Sequence, residues 1–188
     1  MTAAATLARS AIRRISQLAS DERGVSAVEF AMLLPLMLTL YLGTVELSQA
    51  IGASRKVTLT ARTVTDLVAQ ASTMSSTDMT NSFSAATAVI APYSTANLKV
   101  TVSSVAIDGA GKATIGWSCG FNSTGRSKGS TVTLPTALVV NNSSLIWGEV
   151  QYTYKPTIGY VITGTLTLHD QIYMRPRLTD TVTGPSSC

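Results

Sequence analysis

With 188 residues the chain is long enough for one modest domain and an anchor. Its net charge is +4, yet only 13 % of its residues are charged, well below the usual share of roughly a quarter. No basic patch is interleaved with aromatic residues, which argues against a nucleic-acid interface. A chain rich in Ser, Thr, Ala and Val with few aromatics suits an exported domain containing β-structure better than a cytosolic enzyme.

The basic residues of the start, Arg9, Arg13, Arg14 and Arg23, precede a break at Gly24. From Val25 to Val45 the chain is apolar apart from one charge, Glu29, and this stretch matches the roughly 20 residues that cross a bilayer. A secretory signal peptide has a shorter apolar core and a prompt small-residue cleavage site, and neither is present. More arginines lie before the span than Arg55 and Lys56 supply just after it, so the positive-inside rule places the head in the cytoplasm and the bulk of the chain outside it. Pro35 lacks an N–H and predicts a local kink within the span. Glu29 needs a reason, because a carboxylate in hydrocarbon is disfavoured by roughly 2.5–3.5 kcal/mol or more. A position near a helix N-terminus, favoured by the dipole and able to snorkel, supplies one reason.

Helical periodicity continues past the span. Leu47, Ile51, Ala61, Val64, Val68 and Ala71 fall on one stripe, with Glu46, Arg55, Lys56, Arg62 and Asp66 mostly off it. A single helix to about Ser72 is expected, roughly 70 Å long at 1.5 Å per residue. Residues 73–96 read as a linker and a short helix over Met79–Ile90, capped by Asp78 or a nearby Ser or Thr and stopped by Pro92. From Asn97 the pattern is that of strands. Leu98, Val100 and Val102 alternate, and Val105 and Ile107 follow on the opposite parity, so a bulge is expected at Ser103–Ser104. Asp108–Gly111 is a turn before a strand near Lys112–Cys119, and residues 120–133 read as a loop. Ile146, Gly148, Val150, Tyr152 and Tyr154 alternate against Trp147, Glu149, Gln151 and Thr153. A last strand is expected near Gly164–Arg175. Asp170 falls on its apolar parity, so either it pairs with a buried partner such as an Arg or the register slips there.

The expected fold class is α+β: a long N-terminal transmembrane helix extending into the periplasm, packed on a small antiparallel sheet of about four strands. The expected organisation is a cytoplasmic leader over 1–24, a transmembrane helix over 25–45, its periplasmic extension over 46–72, the linker and short helix over 73–96, and a β head over 97–188. The two cysteines, Cys119 and Cys188, lie too far apart for a metal or redox motif. In an exported domain an even count suggests one disulfide, worth about 4 kcal/mol in the chain-entropy model; the alternative is two unpaired thiols.

The run GVSAVEF, Gly24 to Phe30, followed by a long apolar helix resembles the processing site of type IV pilin-like proteins. More narrowly, RGVSAVEFAMLLPLMLTLYLGTVELSQA is similar to the N-terminal signature of TadE-like pseudopilins and minor pilins of the tight-adherence (Flp-type IVb) pilus system, and the segment YTYKPTIGYVITGTLTLHDQIYMRPR is similar to that family's C-terminal strands. The resemblance implies cleavage after Gly24 by a prepilin peptidase, with Val25 as the new N-terminus and Glu29 as the fifth residue of the mature chain. Glu29 and Phe30 then serve peptidase recognition and assembly. A free ammonium on Val25 and the Glu29 carboxylate of a neighbour can offset each other's desolvation, and such a polar pair sets register in an apolar bundle. Phe30 stands where many major Flp pilins have tyrosine, which favours a pseudopilin over the main subunit. The implied role is in the initiation or tip complex of the pilus. The implied partners are other pilins, the prepilin peptidase, the inner-membrane assembly platform and the lipid bilayer. The competing reading is an uncleaved, single-span membrane-anchored periplasmic binding or adhesion protein.

Nothing in the sequence calls for a cofactor, a metal or a catalytic group. His169, the one histidine, shares parity with Thr167 and Gln171 on the expected solvent face. Gly109-Ala-Gly-Lys112 lacks the spacing and the Ser/Thr of a phosphate loop. Tyr152, Tyr154, Tyr160 and Tyr173 read as sheet packing or as a face that meets a partner, with Trp117 and Trp147 contributing to either.

Overall fold

The computed structural model describes residues 24–188. The arginines before Gly24, and with them nearly all of the expected leader, lie outside the described residues. The chain falls into two compact units that divide in sequence between Val45 and Glu46. A single helix, α1 (Val25–Ala69), contributes to both, and Pro35 lies inside it without ending it.

In the second unit α1 is followed by α2 (Ser76–Ile90) and the strands β1 (Leu98–Ile107), β2 (Ala113–Phe121), β3 (Thr131–Val132), β4 (Ser143–Tyr154) and β5 (Leu166–Met174). They form a five-stranded antiparallel sheet in the order β3-β2-β1-β4-β5. The architecture is α+β, as expected. The strand beyond the expected four is β3, which is only two residues long and pairs with Ala113 and Thr114 from within the stretch read as a loop. Helix α2 starts earlier than its apolar pattern suggests because Ser75 caps it. The Ser75 hydroxyl accepts the Asp78 N–H at 3.1 Å and the Asp78 carboxylate accepts the Ser75 N–H at 3.0 Å, a reciprocal capping box. The Ser75 hydroxyl, which donates to the Asp78 carboxylate at 2.7 Å, and then the Ser75 N–H hold the Asp78 carboxyl below its ordinary value. In the β1–β2 hairpin the Asp108 carboxylate accepts the N–H groups of Ala110 and Lys112, both at 2.9 Å, which makes it a turn and not a phosphate loop.

The sheet is covered on both faces. On one face Leu98, Val100, Val102, Cys119, Ile146, Val150, Tyr152 and Tyr154 pack with the buried side chains of α1 and α2. On the other, Val105, Ile107, Ala113, Ile115, Leu145 and Trp147 pack beneath Val132, Leu134, Leu138 and Val139. This explains the parity change in β1. The β1–β2 register shifts between Ser104 and Val105, where a bulge was expected, and leaves Gly116 of β2 unmatched. The β1–β4 register is unbroken from Leu98 to Ile107. β1 therefore keeps its alternation and its apolar residues change face because each face has its own core. In β2 the unmatched Gly116 sends Ala113 and Ile115 to one core and Cys119 to the other. Asp170 is likewise in register, opposite Val150. It is half-buried on the edge strand, and its carboxylate accepts the Gln171 N–H at 2.8 Å, so neither a slip nor a buried arginine is involved.

The buried line of α1 differs from the expected stripe. It runs Glu46, Ala50, Ala53, Val57, Ala61, Val64, Val68, whereas Leu47 and Ile51 are 55 % and 46 % exposed. Where helix and sheet come closest the line is restricted to small residues. A Cβ added to Gly148 of β4 would collide with the Thr65 hydroxyl and come within 3.6 Å of the Ala61 carbonyl. At that separation alanine, valine and threonine fit and leucine does not. The residues after β5 lie across the α1–α2 connection. Arg177 donates its N–H to the Ala69 carbonyl at 2.9 Å and pairs with Asp66, and Met74 donates to Thr183 at 2.8 Å. Trp117 donates to the Val182 carbonyl at 2.8 Å. The Cys119–Cys188 disulfide closes this segment onto β2, with Cα atoms 5.2 Å apart.

A methyl at the closest helix–sheet contact tests the packing. Gly148→Ala is expected to destabilise the detergent-solubilised protein by about 1–3 kcal/mol, the usual cost of overpacking. Adding Thr65→Ala should recover part of that loss in a double-mutant cycle read by chemical denaturation.

Candidate functional site

In the first unit the described residues from Gly24 to Tyr41 are all exposed. The most apolar window of α1 is long and apolar enough to cross a membrane, and none of it is buried. Of the residues singled out in the sequence, Gly24 precedes the helix, and among the described residues nothing lies within 4 Å of where its Cβ would be. Val25, Glu29 and Phe30 occupy its first two turns and are exposed. Val25 and Glu29 are four residues apart and so share one face. The polar groups further along are satisfied locally. Thr39 donates its hydroxyl to the Pro35 carbonyl and Thr44 donates to that of Leu40, both at 2.8 Å. The surface of this helix is thus apolar, with one carboxylate near its start.

The second unit contains a site that the sequence reading missed. Glu46, grouped there with the residues mostly off the apolar stripe, is fully buried. Its carboxylate accepts the backbone N–H groups of Tyr160, Val161 and Ile162 at 2.7, 3.0 and 2.7 Å. These belong to the irregular connection between β4 and β5, residues 155–165. Three consecutive amides can converge on one anion because Gly159 has a φ of +68°, a left-handed conformation that lets the chain curl into an anion-binding nest. The N–H groups of Ile162 and then Tyr160 pull the Glu46 carboxyl below its ordinary value, outweighing the opposing effect of burial. Tyr154 lies in the same region. Its hydroxyl is buried without a hydrogen-bond partner, and burial first, then the neighbouring Tyr93 and Glu46, raise it above the usual phenol value. A signal for Glu46 does exist in the sequence. Stepping back along Val68, Val64, Ala61, Val57, Ala53 and Ala50 by threes and fours lands on it.

The remaining aromatic and polar candidates are distributed between core and surface. Tyr152 and Tyr154 are buried, with Tyr93 packed against them at centroid distances of 6.0 and 6.2 Å. Tyr173 stacks on Trp147 at 5.4 Å, and the Arg126 guanidinium lies 3.9 Å from the Trp147 ring centre while pairing bidentately with Glu149. Tyr160 alone of the four late tyrosines is largely exposed, at 61 %. His169 is exposed on the solvent face of β5, as read. It lines a shallow depression of about 280 Å³ with Lys99, Thr101, Arg126, Glu149 and Gln151.

The model of the TadE-like protein family matches residues 24–66, from the glycine before α1 to the middle of its buried line. This agrees with the resemblance read in the sequence. No curated protein and no solved structure matches the chain.

The Glu46 contact has a defined pH dependence. A carboxyl held below its ordinary value contributes stability that is present above that value and is lost as pH falls through the folded-state value. Amide protection at Tyr160, Val161 and Ile162 is therefore expected at neutral pH and should disappear only on acidification below the ordinary glutamate range. In Glu46→Gln, hydrogen exchange at the same amides should already be fast at neutral pH and nearly independent of this titration. Unchanged protection in that variant would show that the carboxylate does not hold the segment.

Proposed function

We propose that this TadE-like chain is a minor pilin or pseudopilin of a tight-adherence type IV pilus, acting in its initiation or tip complex. The observation that carries the reading is a bilayer-length apolar run of helix, none of it buried, whose single charge stands five residues after a glycine and within the segment that the family model matches. A prepilin peptidase cuts after Gly24, with Glu29 and Phe30 as its recognition residues, and Val25 becomes the mature N-terminus. Val25–Val45 then spans the inner membrane with the second unit on the periplasmic side. Pro35, with no N–H to offer the Ala31 carbonyl, kinks the span. Helices of neighbouring pilins pack side by side in the bilayer, and the Glu29 carboxylate of one meets the Val25 ammonium of another, which fixes their register. The inner-membrane assembly platform moves the assembled helices outward, and the chain itself catalyses nothing in this scheme.

N-terminal mass spectrometry of the membrane-extracted protein, from cells with an active prepilin peptidase, should recover a chain beginning at Val25. Recovery of the uncut chain supports the anchored binding protein instead. Glu29→Ala should leave the protein in the membrane and lower piliation and surface adherence by at least about tenfold, the effect of some 1.4 kcal/mol per assembly contact. Unchanged piliation removes Glu29 from the assembly mechanism.

A further inference from the structure

We infer that the β4–β5 connection is a membrane contact, and that Ile158, Tyr160 and Val161 seat in the boundary between headgroups and acyl chains of the bilayer that α1 crosses. The inference rests on the reading of Val25–Val45 as a bilayer span.

The connection is unusual in length and composition. Antiparallel neighbours are commonly joined by about 2–5 residues, whereas here residues 155–165 intervene between β4 and β5. Pro156 is buried and Ile162 packs on the core. Between these two anchored points Ile158, Tyr160 and Val161 are 48 %, 61 % and 50 % exposed. Large apolar side chains concentrated in so few residues mark a surface that meets something apolar.

The tether says what that is. Glu46 is covalently the next residue after Val45, where the apolar run of α1 ends. The N–H groups of Tyr160 and Val161 lie 2.7 and 3.0 Å from its carboxylate. The exposed tip is therefore held within one side chain's length of the residue at which a spanning helix leaves hydrocarbon. Tyrosine is enriched at that depth, where its ring can sit among acyl chains and its hydroxyl in water. The segment contains no acidic residue, and Lys155 at its start is exposed, which suits an anionic headgroup. The buried carboxylate thus stands at a depth that would otherwise expose it to the interface, and the chain covers it with the loop that enters the lipid.

Depth-resolved quenching of the full chain tests this. A fluorophore is placed on Val161→Cys, or on Ile158→Cys as a second position, with the native cystine kept oxidised. Parallel labels are placed on Leu38→Cys in the apolar run and on Lys128→Cys near β3, at the opposite sheet edge. Each protein is reconstituted into phosphatidylethanolamine–phosphatidylglycerol vesicles carrying lipids brominated near the glycerol end or near the methyl end of the chain. The loop labels should be quenched several-fold more strongly than the Lys128 label, and more by shallow than by deep bromine, while the Leu38 label is quenched by the deep bromine. Loop labels no more quenched than Lys128, with Leu38 still quenched, would overturn the loop contact and leave the span intact. A loop label shielded from water but insensitive to brominated lipid, with the shielding lost on dilution in lipid, assigns the surface to a second protein and also overturns it. An unquenched Leu38 label removes the span itself, and the loop contact with it.

Discussion

One helix has to serve two surroundings, and the rest of the structure follows from how it changes between them. Up to Val45, α1 presents apolar side chains all round, which suits a medium that offers no hydrogen bonds. From Glu46 it buries a single line against a sheet and turns its other sides to solvent. The buried line is made mostly of small residues, and the sheet answers with Gly148 where the two come closest. Because the contact depends on small volumes on both sides, a methyl there acts on the packing of the whole second unit.

The close seat of α1 accounts for the other devices in this unit. A sheet with one covered face would leave β1 and β2 with apolar residues in water. Here the residues 132–139 close the second face, and the unmatched Gly116 allows β2 to supply both cores. Beyond β5 the chain lies across the end of α1 by backbone hydrogen bonds, the Asp66–Arg177 pair and the cystine to β2. These bonds hold the helix terminus, where the carbonyls of Ala69 and Ser72 would otherwise lack a donor.

The apolar run, the long helix, α2, the antiparallel sheet and the irregularity at Ser104 were legible because each rests on local periodicity or turn chemistry. The wrong stripe on α1 shows the limit of that evidence. Leucine and isoleucine weigh most in a hydrophobic pattern, so Leu47 and Ile51 pointed to the core. Ala50 and Ala53 instead join the core of the folded unit, a tertiary choice of helix face that no local pattern encodes. β3 was missed for a related reason: two residues have no periodicity, and their pairing is dictated by β2. Glu46 was misplaced because a carboxylate ordinarily marks an exposed face. Its partners lie more than a hundred residues away and are backbone amides, whose donors are the same whatever the side chain.

The two carboxylates at either end of the apolar run are handled in opposite ways. Glu46 is satisfied entirely by its own chain, through three amides fixed by the turn at Gly159. It is neutralised by folding and needs nothing from outside. Glu29 is exposed, and among the described residues no hydrogen bond or ion pair reaches it. If both were structural ions, the same solution would serve both. The burial cost of the Glu46 carboxylate is offset within the subunit by these amides. In the proposed assembly the roughly 2.5–3.5 kcal/mol that disfavours a carboxylate in hydrocarbon would be offset at Glu29 by the Val25 ammonium of a neighbour. In the proposed pilin role a cost relieved by assembly would favour one register, and this asymmetry between two glutamates on one helix is the physical argument for that role.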